Sequence, residues 1–176
     1  MLLDYVNRAF SRAKYLGVKK VVFGSSGARS VPEGFDKKKT YEQIVFFINA
    51  IVPIAKQYGI IIVLEPLCEN ECNIINTVAE GLELVKQINH ENFKLLADFY
   101  HMAVQNEDFG IIKDSIKYLH HVHIASFDRI EPTPDNKGEF AKIFGVLRAA
   151  GYDGTVSVES KDEHTKTGLE ILQSMK

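Results

Sequence analysis

The apolar residues of the chain follow two alternating patterns. Short runs rich in β-branched residues, which are typical of buried strands, recur at 19–24, 59–66, 93–99, 120–126 and 154–160. Apolar residues spaced three or four apart, which are typical of helices that bury one face, occupy 2–16, 41–58 and about 77–89, 106–118, 138–150 and 164–175. The patterns therefore predict one helix followed by five strand–helix units.

Strands that alternate with helices indicate an α/β fold with a parallel sheet, because parallel neighbours need a crossover connection. Two architectures fit five such units: a doubly wound sheet, or five of the eight units of a (β/α)8 barrel. The chain contains no linker and no low-complexity stretch. We therefore expect residues 1–176 to form a single domain.

Composition excludes several classes of partner. The chain is 45% hydrophobic and 25% charged with a net charge of −2, so it offers no electrostatic basis for binding nucleic acid or an anionic membrane. No apolar run approaches the roughly 20 residues of a membrane span, and the amino-terminal segment does not have the pattern of a signal peptide. Cys68 and Cys72 are the two cysteines of the chain, so a cysteine motif of the iron–sulfur or zinc type lacks its further ligands. We expect a cytoplasmic protein with reduced thiols.

Four successive predicted strands end in a side chain that can bind a divalent cation. These residues are Glu65, Asp98, His123 and Glu159. Ligands of parallel α/β folds bind beyond the carboxyl ends of the strands, and acids placed in apolar strands are costly unless a cation compensates them. Three carboxylates and one imidazole suit Mn²⁺, Mg²⁺ or Co²⁺, and Zn²⁺ is also compatible. The sequence thus predicts a divalent metal site.

The fourth strand contains three histidines, and strand alternation separates their roles. His121 and His123 share one face, whereas His120 faces away. His123 is nearer the strand end, so we expect it to be the ligand. His121 lies one layer deeper and is expected to support the site or the core.

Further polar residues follow the same strand ends. They are Glu71, His101, Arg129 and, in the glycine-rich loop 23–35, Arg29. The loop lacks the lysine and the spacing of a P-loop, which argues against nucleotide binding. Beside a metal, the two arginines could hold the oxygens of a sugar, a carboxylate or a phosphate.

Four segments together resemble the ketose 3-epimerases of the xylose isomerase-like superfamily of TIM barrels. They are "IVLEPLCENECNIINT", "LLADFYHM", "HVHIASFDR" and "GYDGTVSVES". The resemblance begins at about the family's fourth strand, which implies a partial TIM (β/α)8 barrel with about five parallel strands and outer helices. It also implies that the four strand-end residues bind one metal ion and that Glu65 and Glu159 are the catalytic acid–base pair.

The resemblance implies substrate contacts as well. Residues that match Glu71, His101 and Arg129 contact the substrate in such epimerases, and the segment around Arg29 is similar to a loop of sugar phosphate isomerases. The implied function is metal-dependent isomerisation or epimerisation of a sugar or sugar phosphate through an enediolate.

Alternatives to this function remain within and outside the superfamily. A hydroxypyruvate isomerase or a cyclitol dehydratase could use the same residues, and a non-catalytic barrel fragment is the alternative of a different class. The endonuclease IV branch is disfavoured because "TPDNKGEF" stands where its Asp-x-His is expected. An open barrel would expose strand edges and apolar surface, so we expect a homo-oligomer.

Overall fold

The computed structural model describes residues 1–160 and 165–174. Its strands are β1 (Lys20–Phe23), β2 (Ile61–Leu64), β3 (Phe93–Asp98), β4 (Leu119–Ile124) and β5 (Thr155–Val158). Its helices are α1 (Leu2–Tyr15), α2 (Ser26–Arg29), α3 (Lys37–Tyr58), α4 (Val78–Ile88), α5 (Phe99–Val104), α6 (Ile111–Ser115), α7 (Lys137–Ala149) and α8 (Thr165–Gln173).

The five strands form one parallel sheet in the order β1-β2-β3-β4-β5. The order has no reversal, so the structure excludes the doubly wound alternative and confirms a partial barrel with outer helices. The sheet curves strongly, since Lys20 Nζ on β1 donates to Thr155 Oγ1 on β5 at 2.7 Å across the concave side. This curvature turns the carboxyl ends of β2 to β5 toward one another.

The core lies between the sheet and the helices. Helix α3 contributes a buried stripe that contains Ile44, Ile48, Ile51, Val52 and Ala55, as its apolar periodicity predicts. The helix begins where the Asp36 side chain accepts a hydrogen bond from Lys39 N, and it ends at Gly59 in the left-handed conformation (φ 66°). The next strand, β2, follows this turn directly.

The predicted helix at 106–118 is wrong. The chain instead turns into α5 immediately after β3, and a loop with Asn106 at φ 53° separates it from the short α6. Asp98 causes the early start, because its carboxylate accepts a hydrogen bond from Tyr100 N and so caps α5. Within the loop, Gly110 N donates to the Asp108 carboxylate, which holds a turn before α6.

Candidate metal and substrate site

The structure brings the four predicted strand-end ligands together. Glu65 directly follows β2. Asp98 ends β3, where it lies opposite His123 in the pairing of β3 with β4. Glu159 directly follows β5, and its amide donates to the Ile124 carbonyl. One donor atom from each of the four residues lies within 4.8 Å of the donor atoms of the other three. We call these residues the carboxylate–histidine quartet.

His123 Nδ1 lies at the centre of the quartet. It is 2.8 Å from Glu65 Oε1 and 2.9 Å from Glu159 Oε2. Burial alone would lower the pKa of His123, but the hydrogen bonds to Glu159 and Glu65 and their charges raise it to about 10. The hydrogen bond from His123 likewise lowers the pKa of Glu159 to about 2. A ligating imidazole is neutral, so a cation must displace the His123 proton.

Asp98 shows why a cation fits the quartet. Its side chain is buried, and one carboxylate oxygen accepts from Tyr100 N at 2.8 Å. Burial and then the charge of Glu65 raise the pKa of Asp98 to about 7. Three carboxylates share this confined space, and a divalent ion would offset their repulsion. The oxygen-rich donor set fits Mn²⁺, Mg²⁺ or Co²⁺.

Gly24, which the sequence reading overlooked, lies directly behind Glu65. A Cβ atom at this position would overlap Glu65 Oε2 and would lie 3.2 Å from Val22 Cγ1. The carboxylate therefore occupies space that only glycine leaves open. The signal in the sequence is weak: it is one glycine immediately after the first strand.

Arg29 was expected to contact substrate, but the structure directs its guanidinium toward backbone. The side chain is buried and donates to the carbonyls of Phe23 at 3.0 Å and Glu65 at 2.7 Å. These bonds link the end of β1 to the residue that follows β2. The substrate role of Arg29 stays a prediction.

The other three predicted substrate residues lie beside the quartet. His101 Nε2 is 3.7 Å from Asp98 Oδ2. Arg129 Nη1 donates to Glu71 Oε1 at 2.5 Å, and its guanidinium lies over the Tyr100 ring at 4.8 Å. Tyr100 was also overlooked in the sequence, although it is the second residue after Asp98.

His121 stands one layer below the quartet, as strand alternation predicts. Its Nδ1 is 2.6 Å from Thr155 Oγ1 and its Nε2 is 3.2 Å from Ser157 Oγ. Its ring packs edge-on against His123 with 5.0 Å between centroids. Burial and then the charge of His123 lower the pKa of His121 to about 4. His121 is therefore neutral at pH 7, and it connects β4 to β5.

None of the described helices combines the length and the apolar character needed to cross a membrane.

Two curated relatives share about a third of their aligned residues with the chain. A D-psicose 3-epimerase of Ruminiclostridium cellulolyticum is 32% identical over 127 residues, which are 70% of this chain and 42% of that protein. A D-psicose 3-epimerase of Agrobacterium fabrum is 33% identical over 144 residues, which are 80% of this chain and 48% of that protein. The chain thus spans less than half the length of either relative.

The fold is similar to a solved structure of the same kind. The crystal structure of D-psicose 3-epimerase with D-tagatose from Clostridium cellulolyticum H10 superimposes with a TM-score of 0.79 and 26% identity, covering 97% of this chain and 60% of that one. A family model described as xylose isomerase-like TIM barrel matches residues 2–175. The chain therefore belongs to the xylose isomerase-like TIM barrel family.

Proposed function

We propose that this protein is a divalent-metal-dependent ketose epimerase or isomerase. The main support for this proposal is that four side chains converge at the carboxyl ends of four adjacent strands: Glu65, Asp98, His123 and Glu159. The similarity to D-psicose 3-epimerases supports the reaction class. The quartet would hold the cation, which would supply the positive charge that stabilises enediolate character in the transition state.

Glu65 and Glu159 are proposed as the proton-transfer pair. They follow β2 and β5, two strands that β3 and β4 separate, and they approach His123 Nδ1 at 2.8 and 2.9 Å. Epimerisation beside a carbonyl removes a proton from one face of a carbon and returns a proton to the other face. Two carboxylates that reach a common centre from separate strands suit this exchange, if each serves one face of the carbon.

The neighbouring residues favour an unphosphorylated sugar. Arg129 is paired with Glu71, and Arg29 is bonded to backbone carbonyls. The Arg129 charge is offset by Glu71, and Arg29 is buried at 3% exposure, so neither guanidinium is accessible for the bidentate contact that recognises a phosphate. Arg129, Glu71 and His101 do offer hydrogen-bond donors and acceptors of the kind that bind hydroxyl groups.

Hydrogen exchange from D₂O tests the proposal. Purified protein with Mn²⁺ and D-psicose should incorporate deuterium at C3, which NMR detects, whereas incorporation at C1 would indicate an aldose–ketose isomerase. Glu65→Gln and Glu159→Gln should each slow exchange by orders of magnitude, while Glu69→Gln, an exposed glutamate in the same loop as Glu71, should not. Undiminished exchange in both Gln variants would contradict the two-glutamate mechanism, and absence of exchange in the unaltered protein would contradict the function.

A further inference from the structure

A second cluster of metal-binding side chains lies beside the quartet and includes a sulfur atom. Cys68, Glu71 and His101 each offer a donor atom, and these atoms all lie within 4.8 Å of one another. Cys68 and His101 are buried, and Glu71 is exposed. Cys68 and Glu71 come from the loop after β2, whereas His101 comes from α5 after β3.

The distance between sulfur and nitrogen fits a tetrahedral zinc ion. Cys68 Sγ is 3.3 Å from His101 Nδ1. Zinc bonds of about 2.3 Å to sulfur and about 2.0–2.1 Å to nitrogen place these atoms about 3.5 Å apart at the tetrahedral angle. The two side chains therefore need only a small adjustment to share one ion.

The other nitrogen of His101 is oriented as in many zinc sites. Ligating histidines almost always direct their second ring nitrogen at a carboxylate, a carbonyl or a water, which fixes the tautomer. His101 Nε2 faces Asp98 Oδ2 at 3.7 Å, on the side of the ring opposite Cys68. His101 Nδ1 also accepts a hydrogen bond of 3.4 Å from Cys68 N, which a cation would displace, while Nε2 would remain directed toward the quartet.

We propose that Cys68, Glu71 and His101 form a second metal site that binds Zn²⁺ or a similar thiophilic divalent cation. Thiolate and imidazole ligands select such ions over Mg²⁺ and Mn²⁺, which prefer oxygen. The quartet has no sulfur donor, so the two sites differ in selectivity. On binding, the cation replaces Arg129 as the partner of Glu71.

The site also has a consequence for the reaction. Glu71 and His101 are among the proposed sugar contacts, so a zinc ion at this cluster would compete with the sugar and inhibit the enzyme. This consequence rests on the proposed function, whereas the metal site itself does not.

Cobalt spectroscopy of the metal-free protein distinguishes the two sites. A thiolate ligand gives Co²⁺ a charge-transfer band in the near ultraviolet, and oxygen and nitrogen ligands do not. We expect this band in the unaltered protein and in His123→Ala. Cys68→Ser should abolish it, whereas Cys72→Ser, the matched control at the other buried cysteine, should retain it.

An exposed ligand provides a variant with little risk of misfolding. Glu71→Gln should weaken Co²⁺ binding at this cluster, measured by titrating the band, by about 10-fold or more. Loss of even an outer partner of a ligand costs about 10- to 100-fold. Absence of the band in the unaltered protein, or its persistence in Cys68→Ser, would overturn the second site. Deuterium exchange with Mn²⁺ is measured separately, so failure of the second site leaves the proposed epimerase activity intact.

Discussion

The Glu65 carboxylate is positioned by a residue without a side chain. Because a methyl group at position 24 would overlap Glu65 Oε2, Gly24→Ala should displace the carboxylate and lower Mn²⁺ affinity. A loss of about 10- to 100-fold is expected, as for other residues that orient a ligand. Isothermal titration calorimetry measures it.

Gly27→Ala is the matched control for this substitution. A Cβ at position 27 meets no atom within 4 Å, so this variant should bind Mn²⁺ like the unaltered protein. Equal affinities of Gly24→Ala and Gly27→Ala would contradict the positioning role of Gly24.

The three histidines of β4 should respond differently to replacement by alanine. His123→Ala removes the only nitrogen donor of the quartet, so Mn²⁺ affinity should fall by more than the roughly 10- to 100-fold that an outer partner is worth. His121→Ala should act mainly through the lost bonds to Thr155 and Ser157. His120→Ala should change little. The metal content of each variant after dialysis tests this ranking of the three substitutions. Full occupancy in His123→Ala would refute the ligand assignment.

At the residue level, strand alternation was informative where a side chain had to lie on one face of a strand. Alternation predicted the positions of Asp98 and His123, because successive residues of a strand point to opposite faces of the sheet. It did not predict the surroundings of Gly24 or the direction of Arg29. Both depend on contacts between the segment after β1 and Glu65, which follows β2 about 40 positions later, and local patterns do not encode such contacts.

Among the secondary-structure elements, the strands were easier to predict than the short helices. The five strands are predictable because each is a short run rich in β-branched or other apolar residues. Strands β2 and β3 are mostly buried, whereas the outer strands β1 and β5 are partly exposed. The region 106–118 was misread because helical periodicity of apolar residues also arises in a loop that packs against the core. Its actual structure follows from capping by Asp98 and from the turn at Asp108, which are local hydrogen bonds rather than periodic patterns.

The short helix α2 has an element-level role that can be tested. Its last residue, Arg29, links β1 to the end of β2 through the carbonyls of Phe23 and Glu65. Arg29→Met should remove this donor from both carbonyls, but the Phe23 carbonyl still accepts from Glu65 N. The expected cost is therefore about 1–3 kcal/mol for the buried Glu65 carbonyl that loses its donor. Urea unfolding measures this loss, and Arg8→Met, at an exposed arginine of α1, is the control.

The same variant separates the two roles considered for Arg29. If the guanidinium serves only the backbone, stability should fall and the remaining folded protein should keep its KM for the sugar. A raised KM with unchanged stability would instead support the substrate contact that the sequence suggested.

In the whole molecule, the sequential strand order was predictable from general rules. Crossovers between parallel strands are right-handed and short, so neighbours in sequence become neighbours in the sheet. The strong curvature was not predictable from these rules. It is visible in the bond between Lys20 and Thr155, which joins the first and last strands of the described sheet.

The partial barrel predicts self-association. Within the described residues, β1 and β5 each pair with a strand on one side only, and such edges favour pairing with another chain. Leu3, Tyr5 and Val22, on α1 and β1, are 44%, 64% and 41% exposed. Burying these apolar groups would favour an assembly by up to about 25 cal/mol for each Å² removed from water, from which the entropic cost of association is subtracted.

We therefore expect a dimer or larger oligomer at micromolar concentration, measured by light scattering coupled to size-exclusion chromatography. The double variant Tyr5→Lys/Val22→Lys should shift the protein toward monomer, because it places charges on the surface that association would bury. Phe46→Lys, at a residue of α3 that is 78% exposed, should leave the assembly unchanged if the contact involves α1 and β1. A stable monomer of the unaltered protein would refute self-association. Dissociation by Phe46→Lys alone would indicate that the interface lies on α3 rather than on α1 and β1.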